Sequence, residues 1–203
     1  MIHPGSGTSL VPLKLRDVFS SDQVVVDVSP VAVEEMKRVH EQQFPAKDAG
    51  SNPIQYLVTD ILNPPLPFEA YSFDCWVDKG FVDAVFSEKS ETSNRDQSKK
   101  LFEEANRLLK AATGVALIVS LAEDHSLQLL LDNAFKGSWR PDLHVWELDP
   151  VSGDMRPFGF VFTKANIVEE RTDRRLVWHF LDGEIDEAST TLESCLDVIL
   201  GRR

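Results

Sequence analysis

Two periods of hydrophobic patterning run through this chain and divide it into strands and helices. Gln23 to Val28 holds three consecutive valines and reads as a strand buried on both faces, because a parallel strand covered by helices shows no polar alternation. Ser29-Pro30 predicts a helix start, with Ser at the cap and Pro at the first helical position. Val33, Met36 and Val39 then recur at helical spacing among Glu34, Glu35, Lys37 and Arg38, and this helix is expected to end near Phe44-Pro45. Residues 46–53 hold Gly50 and Pro53 and form a loop. Ile54 to Thr59 is the next strand and is followed by Asp60. Phe73 to Val77 is another, followed by Asp78, and residues 81–86 form a short helix. Ser87 to Ser98 is polar throughout and predicts an exposed loop.

Lys99 to Lys110 is a helix with Leu101, Ala105, Leu108 and Leu109 on one face. Val115 to Leu121 is a strand and Ser126 to Phe135 a helix. Leu143 to Leu148 and Phe158 to Thr163 are two strands joined by a Gly/Pro/Asp-rich link, an antiparallel ending to the sheet. Leu176 to Phe180 adds a strand, and Glu184 to Leu200 a last helix that its threonines weaken. At the other end, Met1-Ile2 reads as the close of a strand whose beginning is absent, and Ser9 to Arg16 as a short helix that Pro12 restricts. Strands and helices alternate to about residue 135 and then two strands follow each other. The expected fold is α/β, a three-layer Rossmann-like sandwich with a mostly parallel sheet. We expect one domain over 1–203, with a core over about 2–165 and a C-terminal extension over 166–203.

Composition narrows the partners. The chain of 203 residues carries a formal net charge of -12. Such a surface repels phosphate backbones and anionic lipid, so neither nucleic acid nor membrane is expected as a partner. No apolar run approaches the length of a membrane span, and no secretory leader is expected at the N-terminus. The two cysteines, Cys75 and Cys195, are far apart and no Cys/His cluster offers a metal site, so no metal is expected. A reducing, cytoplasmic setting fits these thiols.

The candidate chemistry lies at the strand ends. Ile2-His3-Pro4-Gly5-Ser6-Gly7-Thr8-Ser9 is a glycine turn, and Asp27 follows Gly7 by 20 residues at the end of the valine strand. Glycines let backbone N–H groups approach a ligand, and an acid closing the second strand accepts ribose hydroxyls. Asp60 and Asp78 follow two more strands, on the edge where open α/β sheets bind ligands. Two ligands compete. A dinucleotide fingerprint wants Gly or Ala three residues after Gly7, where Leu10 stands, which argues against an NAD-dependent oxidoreductase. S-adenosylmethionine has no pyrophosphate and is less demanding there.

These motifs resemble the class I S-adenosylmethionine-dependent methyltransferases. More narrowly, they are similar to the methyltransferase-like 13 type, protein lysine and N-terminal methyltransferases that act on elongation factor 1-alpha. The resemblance is carried by His3-Pro4-Gly5-Ser6-Gly7-Thr8-Ser9 for the family's P-G-C-G-N-S turn, by Asp27-Val28-Ser29-Pro30-Val31-Ala32-Val33, and by Asp78-Lys79-Gly80-Phe81-Val82-Asp83-Ala84 for its D-K-G-T-L-D-A motif. Ser120 to His125 and Pro157 to Lys164 match its late motifs. The resemblance implies a seven-stranded sheet with an antiparallel last strand and S-adenosyl-L-methionine as cofactor. Gly5, Ser6 and Gly7 would line the methionine end, Asp27 the ribose, Val28 the adenine face, and Asp60 and Ile61 the adenine amino group and ring. Asp78 would sit nearest the methyl-transfer position as the catalytic carboxylate and also contact the cofactor. Lys79, Gly80, Phe81 and His125 would shape the substrate side. The implied partner is a protein substrate, elongation factor 1-alpha among the candidates, methylated on lysine; a small-molecule acceptor is a further option.

The family has Thr where Phe81 stands, and Thr8 and Ser6 replace its Asn and Cys. The family also carries tens of residues before its glycine turn, whereas here two precede His3. A truncated first strand is therefore expected, and the alternative function is a truncated or inactive methyltransferase-like interaction module. Tryptophans 76, 139, 146 and 178 are expected to be core or packing residues rather than an acceptor cage.

Overall fold

The computed structural model describes residues 1–19, 21–43, 53–86, 91–134, 139, 142–148, 157–165, 175–179 and 185–189. One sheet organises them. Its strands are β1 (Ile2–Pro4), β2 (Gln23–Asp27), β3 (Ile54–Val58), β4 (Cys75–Lys79), β5 (Val115–Ser120), β6 (Asp142–Glu147), β7 (Phe158–Thr163), β8 (Arg175–His179) and β9 (Ile185–Ser189). They lie in the order β3-β2-β1-β4-β5-β7-β6-β8-β9. The neighbours from β3 to β5 are parallel. β7 runs antiparallel to both β5 and β6. The expected seven-strand arrangement is thus present, with β8 parallel to β6 and β9 antiparallel to β8 beyond it.

β1 is short but central. Ile2, His3 and Pro4 face Val24, Val25 and Val26 of β2, and Ile2 faces Trp76 of β4. The Met1 carbonyl accepts the Val24 amide at 2.9 Å and the Met1 ammonium donates to the Asp22 carbonyl at 2.7 Å, extending this edge by one residue.

The valine run explains both layers. Val25 packs with Leu13, Met36 and Ile54 on one face of the sheet, under helices α1 (Val11–Val18) and α2 (Pro30–Gln43). Val24 and Val26 join Ile2, Trp76, Ile118 and Phe160 on the other face. That larger core is covered by α3 (Phe81–Phe86), α4 (Glu91–Leu108) and α5 (Asp124–Ala134) through Val82, Phe86, Leu101, Leu108, Leu127 and Leu130. The α2 start is as expected, with the Ala32 amide donating to Ser29 Oγ at 3.3 Å.

Two expectations are corrected. The segment 87–98 is not a loop throughout: α4 begins at Glu91. Its polar residues hid a buried stripe. Asn94 and Ser98 are buried and continue the helical spacing of Leu101, Ala105 and Leu108 toward the N-terminus. Asn94 donates to the Phe86 carbonyl at 3.1 Å and Asn133 donates to Ser98 Oγ at 3.2 Å, so both positions are hydrogen-bonded rather than apolar. The helix expected from Glu184 is, over Ile185–Ser189, strand β9, whose ladder with β8 supplies the backbone bonds a helix would have made. The rest of that segment lies outside the described residues, as does the loop over 46–52.

One buried cation holds the far end of the sheet to the helical layer. Lys164, just past β7, donates through Nζ to the carbonyls of Asn106 and Leu109, the latter at 2.8 Å, at the C-terminal end of α4. The same ammonium lies 4.3 Å from the centre of the Tyr71 ring.

Candidate active site

The glycine turn leaves β1 at its C-terminal end. Gly5 and Gly7 have φ of +51° and +53°, left-handed values that a side chain resists. The turn is held by Asp27, at the end of the neighbouring β2. The Gly7 amide donates to Asp27 Oδ2 at 2.7 Å and the Ser29 amide to Oδ1 at 2.8 Å. One carboxylate therefore fixes both loops that leave β1 and β2. Its remaining lone pairs can still accept from a ligand.

Beside it opens a cleft of about 290 Å³ lined by Gly5, Asp27, Val28, Thr59, Asp60, Ile61, Leu62, Phe81, Ala84 and Val85. It lies at the carboxyl ends of the parallel strands, where an open α/β sheet binds ligands. Val28 is exposed and Ile61 is buried, giving apolar surface on both sides of the acids. Asp60 Oδ1 accepts the Leu62 amide at 2.9 Å and shapes the loop after β3.

Five of the expected cofactor residues, Gly5, Asp27, Val28, Asp60 and Ile61, meet in this cleft, together with Phe81 from the substrate side. Ser6 and Gly7 belong to the turn beneath it. Thr59, Leu62, Ala84 and Val85 are additions that sequence reasoning missed. The signal for two of them was available, since Phe81, Ala84 and Val85 are spaced to share one face of α3.

Asp78 stands apart from the lining. It is wholly buried at the end of β4, and its Oδ1 accepts the Phe81 amide at 2.8 Å, which fixes the start of α3. Oδ2 has no hydrogen-bond partner among the described residues. Burial pushes the Asp78 carboxyl up to about 7, against the pull of the Phe81 and Val82 amides, and the nearby Asp83 charge adds to the rise. Asp83 in turn accepts Ser120 Oγ at 2.6 Å and the Leu121 amide at 3.0 Å, tying α3 to the end of β5. Lys79 is exposed and Gly80 turns with φ +77°. His125 sits in the first turn of α5, its Nε2 buried and without a hydrogen-bond partner among the described residues. Trp76 and Trp139 are core residues, as expected, while Trp146 is exposed and stacks on His179 with 3.8 Å between ring centres.

Residues 2–117, from β1 into β5, match the methyltransferase domain family. The chain belongs to that family. The cleft suits its S-adenosylmethionine cofactor: an acid at the end of β2, apolar walls beside it, and a glycine turn in which a Cβ on Gly7 would meet nothing within 4 Å. Among curated proteins, the methyltransferase domain is similar to the human eEF1A lysine and N-terminal methyltransferase, 27% identical over 168 residues, covering 79% of this chain and 22% of that protein. The Drosophila melanogaster homolog is 28% identical over 128 residues, covering 63% of this chain and 17% of its own. The chain thus spans about a fifth of the length of the curated relatives it matches. Solved structures agree on the fold. A S-adenosylmethionine-dependent methyltransferase from Methanosarcina mazei aligns with a TM-score of 0.55 at 16% identity, covering 81% of this chain and 91% of that one. The N-methyltransferase NodS from Bradyrhizobium japonicum, in complex with S-adenosyl-L-homocysteine, aligns with a TM-score of 0.55 at 15% identity, covering 80% of this chain and 76% of its own.

Proposed function

We propose that this chain is the catalytic core of a protein methyltransferase that transfers a methyl group from S-adenosylmethionine to a lysine amine. Its single strongest support is the Asp27 arrangement, in which one buried carboxylate at the end of β2 braces the glycine turn at 2.7 Å and faces the cleft. The ribose hydroxyls would donate to Asp27, and the adenine would lie between Val28 and Ile61 with Asp60 near its amino group. The bound cofactor supplies an electrophilic methyl on sulfur.

The chain's own residues then have a modest task. A neutral amine must meet the methyl carbon in line with the sulfur it leaves, so that the C–N bond forms as the C–S bond breaks. Asp78, at the β4 end beside α3, is assigned the acceptor side. Its buried Oδ2 is the carboxyl oxygen without a partner among the described residues, and an amine would reach it only once the acceptor side opens; solvent takes the proton the amine loses. Lys79, Gly80 and His125 border the acceptor approach. A protein acceptor fits the family-level likeness to the eEF1A lysine and N-terminal methyltransferases. The cytoplasm and a single domain over 1–203 belong to the same proposal. Among the described residues no helix is long and apolar enough to cross a membrane.

The first test is calorimetric titration with S-adenosylhomocysteine, with NAD as the control. Binding of the first and not the second supports the reading; tight NAD binding, or neither ligand bound by a folded chain, overturns it. Transfer of labelled methyl from S-adenosylmethionine to lysine in elongation factor 1-alpha, lost when that protein's lysines are blocked, would then fix the acceptor. A second reading, an interaction module without turnover, draws on the Phe81 ring that lies on the glycine turn.

A further inference from the structure

Phe81 opens α3 and does two things at once. Its amide donates to Asp78 Oδ1 at 2.8 Å, so its backbone is pinned. Its ring lies against Gly5: a Cβ built on Gly5 would fall 1.9 Å from Phe81 Cδ2 and 2.5 Å from Cγ. Gly5 is therefore a glycine for two reasons, its φ of +51° and the aromatic ring resting on its Cα.

The strand order says what that ring covers. Asp27 closes β2, and β1 lies between β2 and β4. A nucleoside whose ribose is held by Asp27, with its base along Val28, Asp60 and Ile61, must send its 5′ substituent across the end of β1 toward β4. That path passes over Gly5. The β2–β3 side of the cleft carries Asp27 and Asp60, while on the Cβ side of Gly5 the path meets the Phe81 ring. Beyond the ring lies Asp78, whose Oδ2 is buried with no hydrogen-bond partner among the described residues.

We propose that Phe81 is the gate of this site, seating a nucleoside freely but admitting a 5′ amino-acid-bearing substituent only when its ring swings off Gly5. This deepens the cofactor reading above and rests on it. The pinned amide lets the ring change χ1 without unwinding α3, against the cost of lifting a partly buried ring off the core it packs on. The apparent affinity for the complete cofactor is then reduced by the fraction of molecules with the ring displaced, whereas the affinity for the nucleoside alone is not. The gate selects for ligand length along one direction, and it withholds the methyl donor until the ring moves.

The experiment compares adenosine and S-adenosylhomocysteine, titrated calorimetrically into the full chain and into Phe81→Thr and Phe81→Leu. The Thr variant clears the path; the Leu variant keeps an apolar side chain and guards against loss of folding, which the adenosine titration itself also reports. The expected result is that S-adenosylhomocysteine binds Phe81→Thr about tenfold or more tightly than the parent, with Phe81→Leu between them. Adenosine affinity should change much less than S-adenosylhomocysteine affinity across the three forms, since Phe81 also borders the cleft that holds the nucleoside. If adenosine binds all three and S-adenosylhomocysteine binds the variants no better than the parent, the gate is wrong and the cofactor reading stands. If neither ligand binds any of the three, the cofactor reading falls and the gate falls with it.

Discussion

Asp27 and Asp78 both close parallel strands on the same edge of the sheet, two strands apart, yet they are handled in opposite ways. Asp27 keeps slight solvent access, at 8% exposure, and both its oxygens accept backbone amides, one from each flanking loop. Asp78 has no exposure, and only one of its oxygens is matched to a donor among the described residues. The first accepts two backbone amides and holds two loops in place. The second is a carboxyl whose charge is opposed by its surroundings. The same residue type at equivalent strand ends therefore serves as a fixed brace in one case and a proton-holding group in the other. At Asp78 burial decides, outweighing the amides of Phe81 and Val82 that favour the charge.

The largest effect should come from removing the brace. Asp27→Ala leaves the Gly7 and Ser29 amides without their charged acceptor, at about 1.5–3 kcal/mol for each such bond before water replaces it. We expect a loss of about 2–4 kcal/mol in urea unfolding and about 10- to 100-fold or more in S-adenosylhomocysteine affinity. An undiminished affinity would remove Asp27 from the ligand's contacts.

Asp78→Asn should act on pH dependence. Because the folded-state value of about 7 lies above the ordinary 3.8, the folded chain keeps a proton between those pH values that the unfolded chain has released. This group's contribution to stability is then full below about pH 4, declines as pH rises, and is lost above about pH 7. The Asn variant keeps an acceptor for the Phe81 amide and should lack that decline. At pH 8 it should match or exceed the parent by about 1–2 kcal/mol in chemical denaturation. Identical slopes in the two proteins over this window would show that Asp78 is ionised when folded.

The smallest effect separates a side chain from its backbone. Ser29 donates its amide to Asp27 and accepts the Ala32 amide at Oγ. Ser29→Ala removes only the second bond and should cost about 0.5–1 kcal/mol in thermal unfolding, with ligand affinity unchanged. A fall in affinity would mean that the helix start, as well as the Asp27 brace, positions the ligand.

Sequence alone reached one of these acids better than the other. The glycine turn, the valine strand and the 20-residue spacing to Asp27 are local signals, and their geometry follows from backbone rules that act over short stretches. That Asp78 would be sealed away depends on Phe81, Val82 and Asp83 folding back as α3, a tertiary outcome that strand-end position does not reveal. The same limit hid the first turns of α4. Asn94 and Ser98 carry no hydrophobic period, and only the groups they meet, the Phe86 carbonyl and the Asn133 amide, turn them into an inward face. Strand β9 was missed because its identity rests on pairing with β8, a partner that the residues of the segment do not announce.

Lys164 offers a reporter for the opposite end of the molecule. Its ammonium is enclosed by two helix-end carbonyls and an aromatic face, while Lys37, Lys99 and Lys110 stand at the surface. Amine-reactive labelling of the native chain should mark those surface lysines quickly and Lys164 last. The delay at Lys164 would time how often the last turn of α4 lets go of the sheet, a clock for local opening built from a single side chain.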